Sequence, residues 1–223
     1  MYKPYEWAFD EEVANEFENH VRKSVPMYEV FHSMISDMSK FFIEDNTNVL
    51  DIGTSTGELL KKLMCTKNCN YIGIDNQLAM VKKARSKLDK IYKIEHEDIV
   101  NYKIDNCSVI TMVLVLQFIK QKDKQTVLDN IYKSLNVGGA FFFVDKIKAS
   151  QSNINDIYND MYYDFKIDNG LSPQEILSKN KSLRSIQKTM TLDENLILFK
   201  DAGFKIIDVF FKYNNFIGIL AIK

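Results

Sequence analysis

From residue 47 onward the sequence alternates short β-rich apolar runs with stretches of helical period, an order that few architectures accept. Asn48-Val49-Leu50-Asp51-Ile52 reads as a buried strand, and Glu58 to Met64 as the helix that follows a glycine-containing turn. Tyr71 to Asp75 gives a second strand, Gln77 to Leu88 its helix, and Tyr92 to Glu95 a third strand. Ser108 to Leu116 is nearly all apolar, as a central parallel strand covered on both faces requires. Val127 to Leu135 then reads as helix, Val137-Gly138-Gly139 as a turn and Ala140 to Val144 as a fifth strand. Strands alternating with helices of this length imply a parallel sheet with right-handed crossovers.

Helices flank this core. Val13, Phe17 and Val21 follow Asp10, a candidate N-cap, until Pro26 breaks the run; Tyr28, Phe31, Ile35 and Met38 mark a second helix. Residues 151 to 190 are polar, helical in pattern and interrupted at Asn169-Gly170 and Pro173, which predicts a cap inserted over the strand ends. A helix over Asp193 to Ala202 leads to two strand-like runs, Lys205 to Phe211 and Phe216 to Ile222. Four residues separate these runs, so they form an antiparallel hairpin.

The charge is balanced, with 29 Lys and Arg against 30 Asp and Glu. Binding nucleic acid mainly through phosphates needs a net basic face, so direct nucleic-acid binding is not expected. No apolar window approaches a membrane span, and the acidic N-terminus (Glu6, Asp10, Glu11, Glu12) is the wrong flank for a signal peptide. Three cysteines, Cys65, Cys69 and Cys107, make no disulfide framework, which predicts a reducing, cytoplasmic compartment. Cys65 and Cys69 stand four apart without a second ligand pair, and His20, His32 and His96 are scattered, so no metal site is expected.

The chemistry concentrates in Asp51-Ile52-Gly53-Thr54-Ser55-Thr56-Gly57. An acid ends the first strand and two glycines flank a three-residue turn. Gly53 is expected to admit a ligand close to the backbone, and Gly57 to let the next helix pack. Asp75 ends the second strand, followed by Asn76, where an acid hydrogen-bonds ribose hydroxyls in nucleotide-binding α/β folds. Asp98-Ile99 follows the third strand, as an acceptor for an adenine amino group or as a plain surface acid. A nicotinamide dinucleotide calls for G-x-G-x-x-G and a pyrophosphate that Asp51 would repel. S-adenosylmethionine (SAM) has no phosphates and carries an ammonium and a sulfonium, so the site suits SAM or a SAM derivative. The fourth strand, Thr111 to Phe118, lacks the Asn/Asp-Pro-Pro-aromatic element of enzymes that methylate base amino groups.

Across its whole length the chain resembles the carboxy-S-adenosylmethionine synthases, a branch of the class I methyltransferase fold. The resemblance runs through Trp7 to Asp10, Arg22-Lys23-Ser24-Val25-Pro26-Met27-Tyr28, the turn from Asp51 to Gly57, and Ile74-Asp75-Asn76. It continues in Leu116-Gln117-Phe118, Leu135 to Gly139, Asp164-Phe165-Lys166 with Asn169-Gly170, and Ala202-Gly203-Phe204. It implies a Rossmann-like sheet of seven mostly parallel strands with the last antiparallel. It also implies a homodimer and ligand contacts from Tyr28, Gly53 to Ser55, Asp75-Asn76 and Asp98-Ile99. Members make carboxy-SAM from SAM and prephenate for tRNA wobble-uridine modification by a partner enzyme. Two positions depart: Val113 stands where the family has Asn, and Asn180 where it has the Arg that grips the ligand carboxylate. Arg binds a carboxylate through a planar charged fork that Asn cannot replace, leaving Lys179, Lys181 or Arg184 to supply charge.

The sequence therefore reads as one domain: an N-terminal lid (1–46), a SAM-binding core (47–145), a helical cap (146–192) and a C-terminal helix and hairpin (193–223). Cofactor contacts are expected from Tyr28, Asp51, Gly53, Thr54, Ser55, Gly57, Asp75, Asn76, Asp98, Ile99 and Val113. Catalytic candidates are Tyr28, Tyr162, Tyr163, Asn180 and Arg184, with Trp7 a further lid residue. The leading expectation is transfer from SAM involving a small molecule, most simply methyl transfer. Carboxy-SAM synthesis, displacement within SAM itself and a non-catalytic SAM-binding module are the alternatives.

Overall fold

The computed structural model describes residues 11–223, with Glu12 described by its backbone alone. Strands β1 (Asn48–Ile52), β2 (Asn70–Asp75), β3 (Tyr92–His96), β4 (Cys107–Val113) and β5 (Leu135–Lys146) pair in parallel. Strands β6 (Ile206–Tyr213) and β7 (Phe216–Ile222) form the expected hairpin, and β7 runs antiparallel to β5 as well. The sheet order is β3-β2-β1-β4-β5-β7-β6. Strand order reverses between β1 and β4, which opens a crevice at their carboxyl ends.

Side chains alternate across β5 with period two, and the two sets bury on opposite faces. Phe141 and Phe143 join Phe199 and Phe204 in one cluster, with Phe141 stacked 5.4 Å from Phe199. Ala140, Phe142 and Val144 join Phe31, Ile35 and Phe216 in the other. The first cluster lies under α5 (Lys124–Ser134) and α8 (Leu192–Ala202). The second lies under α1 (Glu11–Ser24), α2 (Tyr28–Ser39), α3 (Glu58–Lys62) and α4 (Leu78–Lys87). Among the described residues no helix is long and apolar enough to cross a membrane.

The cap is two helices, α6 (Ser152–Asp168) and α7 (Pro173–Leu183). Ser172 and Glu175 form a capping box with Pro173 at the first helical position, so the break read at Pro173 is a helix start. Tyr162 ties α6 to the end of α1 by donating a 2.8 Å hydrogen bond to the Ser24 carbonyl. The candidate N-cap Asp10 lies outside the described residues.

Two boundaries differ from expectation. The apolar run Ser108 to Leu116 does not stay extended: β4 stops at Val113, Leu114 adopts φ 59°, and Leu116–Phe118 forms a 3-10 turn. Apolarity reports burial, and these residues bury as a reversal rather than as strand. The turn expected at Val137-Gly138-Gly139 is instead an irregular start to β5. Pairing jumps from Cys107–Leu135 to Val109–Ala140, and the extra residues loop out around Gly138 at φ 83°.

Candidate active site

The carboxyl ends of β1, β2 and β4, with α1, α2 and the cap, enclose a cleft of about 910 Å³. Its floor is the turn after β1, where Gly53 and Thr54 donate backbone hydrogen bonds of 2.8 and 3.0 Å to the Ile74 carbonyl. A Cβ on Gly53 would stand 2.2 Å from Val115 Cγ2. Val115, carried there by the reversal after β4, thus packs closely on Gly53, and both line the cleft. Gly57, at φ 83°, does not line the cleft; a Cβ there would meet Leu88 Cδ1 at 2.4 Å, so its role is to pack α3 against the end of α4. Ser55 and Leu114 line the cleft with positive φ, 51° and 59°, a cost that recurs at functional sites.

Asp75 organises the end of the cleft at β2. Its carboxylate accepts the Ser55 N–H at 3.0 Å and the Gln77 N–H at 2.8 Å. A carboxylate offers roughly four acceptor sites, so about two remain for ligand hydroxyls. Asp51 is 2 % exposed and accepts a 2.6 Å hydrogen bond from Thr111. Burial drives its pKa up to about 6, and the Thr111 bond opposes the shift. Tyr28 and His32 cover the same region with ring centroids 4.1 Å apart. Burial, with Glu58 and Asp51 nearby, pushes the Tyr28 phenol up, so it stays a neutral donor. Burial holds His32 neutral by lowering its pKa to about 3.

Among the described residues His32 Nδ1 is a buried polar atom of the cleft without a hydrogen-bond partner, whereas the Thr54 hydroxyl lies by Asp51 and helps to hold its pKa down. Buried polar groups are almost always paired, so His32 Nδ1 is a position where a ligand atom fits. With the acids Asp51 and Asp75 the lining fits a cationic nucleoside such as SAM and disfavours a pyrophosphate.

The cap end has the opposite sign. His20, Lys146, Tyr162 and Lys179 line it. The Lys146 and Lys166 ammoniums lie 4.3 and 3.8 Å from the Tyr162 ring centroid. Burial lowers Lys146 to about 8 and Lys179 to about 8. Burial, then the charges of Lys146 and Lys179, lowers Lys166 to about 7. Lys179 also contacts the His20 ring, and burial with this charge holds His20 neutral, at about 4.

Most of the expected site residues meet in this cleft. Tyr28, Asp51, Gly53, Thr54, Ser55 and Asp75 line it, as do Asn76, Asp98, Ile99, Val113 and Tyr162. Asp98 is exposed and accepts the Val100 N–H at 3.0 Å. Tyr163 and Asn180 are not in the lining; they bond each other, Asn180 Nδ2 donating to the Tyr163 hydroxyl at 2.6 Å. Arg184 caps α7 in an exposed position, and Lys181 is exposed too. Trp7 lies outside the described residues. Lys179 was a candidate from the sequence and Lys146 was not, while His20 and His32 figured there only as scattered histidines without a metal site. Lys166 figured only within Asp164-Phe165-Lys166.

Residues 49–139 match a family model described as a methyltransferase domain. A carboxy-S-adenosyl-L-methionine synthase from Staphylococcus epidermidis is 45% identical over 226 residues, covering 100% of this chain and 99% of the relative. Another from Nautilia profundicola is 36% identical, covering 99% and 97%. Among solved structures, phosphoethanolamine N-methyltransferase 2 of Haemonchus contortus with SAM superposes with a TM-score of 0.68 at 14% identity, over 96% of this chain and 57% of that one. Human N-acetylserotonin methyltransferase with SAM gives 0.63 at 17% identity, over 96% and 56%. These two likenesses show the class I methyltransferase fold. The protein is a SAM-dependent enzyme of the transferase type. With full-length identity of this order over that fold, the chain belongs to the carboxy-S-adenosyl-L-methionine synthase family.

Proposed function

We propose that the protein makes carboxy-SAM: prephenate gives up its ring carboxylate and ring hydroxyl and becomes phenylpyruvate. The carboxylate carbon bonds to the sulfonium methyl carbon of SAM, and the proton lost from that methyl leaves with the hydroxyl as water. The observation that carries this reading is the polarity of the cleft: acidic where a sulfonium nucleoside fits, cationic under the cap. A neutral acceptor gives no reason to hold lysines in a half-buried wall, whereas a dicarboxylic co-substrate does. The sequence alone ranked methyl transfer first because Asn180 replaces an Arg. The cationic wall supplies charge from other positions, and the 45% identical full-length relative carries the carboxy-SAM synthase name.

SAM supplies an activated sulfonium carbon when bound. Asp75 and Asn76 would hold its ribose, Asp98 and Ile99 its adenine, and Asp51 and Tyr28 its charged end. Val113 and Leu114 present an apolar wall with no acid or base, so the chain's work is alignment and exclusion of water. The described part of the lid, residues 11–46, and the cap over 146–192 close the site in this reading.

We also propose a cytoplasmic homodimer with no direct nucleic-acid contact. The balanced charge supports the last point. Ile154, Ile157 and Met161 leave an exposed apolar stripe on α6, which supports the dimer; light scattering of the purified chain reads it directly.

The test incubates the full chain with SAM, with and without prephenate, and identifies products by mass. Prephenate-dependent carboxy-SAM supports the proposal. S-adenosylhomocysteine without carboxylated product would establish methyl transfer instead, and methylthioadenosine self-displacement.

A further inference from the structure

The cap-end lysines have no role in holding a cationic nucleoside and are costly to keep where they are. Lys166 is 9 % exposed, and Lys146 and Lys179 are half-buried. They reach one wall from three elements: Lys146 ends β5, Lys166 lies on α6 and Lys179 on α7. Among the described residues neither the Lys146 nor the Lys166 ammonium forms an ion pair or donates a hydrogen bond; the Lys146 bond to Asp145 comes from its backbone N–H. Both instead share the Tyr162 ring, at 4.3 and 3.8 Å from its centroid. An aromatic face offsets part of the desolvation of an ammonium and leaves its donors free. Tyr162 is itself fixed, with its hydroxyl on Ser24 and its ring 5.5 Å from Phe216. A second group orients Lys179: the neutral His20 ring contacts its ammonium.

We propose that Lys146, Lys166 and Lys179 form a carboxylate-binding subsite at the cap end of the cleft. Lys146 and Lys179 face the cleft and donate to the anion directly. Lys166 stands behind Tyr162 and adds field, and His20 is a positioning residue. This rests on the carboxy-SAM reading. The carboxylate has two possible sources: the carbon bonded to sulfur in the product, or the co-substrate acid.

Binding experiments separate the sources and need no turnover. Alkylating S-adenosylhomocysteine with iodoacetate gives carboxy-SAM, the thioether sulfur displacing iodide. Iodoacetamide gives the carboxamide of nearly the same shape without the charge. At pH 7 the wild-type chain is expected to bind the carboxylate at least about tenfold more tightly than the carboxamide, as a charge-assisted pair in a half-buried site allows. K146M/K166M should lose that preference while binding S-adenosylhomocysteine as the wild type does, which also certifies its fold. K146Q alone, with a partial loss, serves if the double variant does not fold. In a second arm, prephenate is titrated into chain saturated with S-adenosylhomocysteine. Binding that depends on Lys146 and Lys166 there, without a carboxylate preference in the first arm, assigns the subsite to the co-substrate. Lysine-independent binding in both arms overturns the inference. Failure of the wild type to make carboxy-SAM, with lysine-dependent anion binding intact, would instead sink the proposed reaction and leave the subsite standing.

Discussion

Thr111 on β4 donates a 2.6 Å hydrogen bond to the carboxylate of Asp51 on β1, joining the two strands whose ends flank the crevice. The bond keeps a wholly buried acid oriented into the cleft and partly offsets the cost of its charge. Burial still dominates, and the Asp51 pKa rises to about 6.

The first prediction follows from that shift. In the free chain Asp51 favours its protonated form, so its contribution to stability is present below the ordinary carboxylate range and is lost as pH rises toward about 6. A bound cation favours the ionised form, so SAM binding at pH 6 should release protons. Calorimetry in two buffers of different ionisation enthalpy reads that release. Asp51→Asn should abolish it, weaken SAM binding about tenfold and raise the melting temperature of the free chain at pH 7. Unchanged proton release in the variant would remove Asp51 from the ligand's surroundings.

Asp75 makes a separable contribution. Its carboxylate already holds the Ser55 and Gln77 N–H groups, so Asp75→Ala loosens the turn as well as the ribose contact. SAM affinity is expected to fall more than about tenfold. A 2′-deoxy analogue, which lacks one ribose hydroxyl, should lose much less in the variant than in the wild type. Equal losses for the two ligands would argue that Asp75 acts on the loop alone.

Gly57 tests packing rather than binding. At φ 83° any side chain is strained, and a Cβ would meet Leu88 Cδ1 at 2.4 Å. Gly57→Ala is expected to cost about 2 kcal/mol or more in denaturant unfolding. Adding Leu88→Ala should remove the overlap but leave the backbone strain, so rescue is partial. Full rescue would show that the left-handed conformation carries no cost.

Lys87 fastens α1 over the cleft. Its ammonium pairs with Glu18 of α1 and, at 2.8 Å, with Glu58 of α3, while Thr56 in the turn donates to Glu18 at 2.9 Å. Lys87→Met should speed amide exchange across residues 11–24 and the dissociation of SAM, by the severalfold that about 1 kcal/mol allows. Added salt should mimic the substitution. Unaltered exchange would show that the helix is held without Lys87, by Phe17 and Val21 packing and by its other contacts, such as Lys83 with Asn15 and Arg22 with Glu58.

The sheet and the acidic end of the cleft were legible in the sequence because their signals are local. Period-two apolar runs, two glycines about one turn and acids at strand ends each sit within a dozen residues, and the structure brings Asp51, Ser55 and Asp75 together as those signals require. The reversal at Leu114 was not legible, since an apolar run reads the same whether it extends or turns. The cationic wall was hidden for a different reason. Lys146, Lys166 and Lys179 are separated by twenty and thirteen residues, and only the folding of the cap brings the first two to the Tyr162 ring and the third to the same end of the cleft. Substitution at Asn180 alone suggested lost charge, but Asn180 bonds Tyr163 and does not line the cleft.

The most direct test uses prephenate uniformly labelled with carbon-13, supplied with unlabelled SAM to the full chain, and mass spectrometry of the nucleoside formed. Carboxy-SAM carrying a single labelled carbon is the predicted result. Labelled prephenate recovered intact beside S-adenosylhomocysteine, or a carboxylated nucleoside without label, would contradict it.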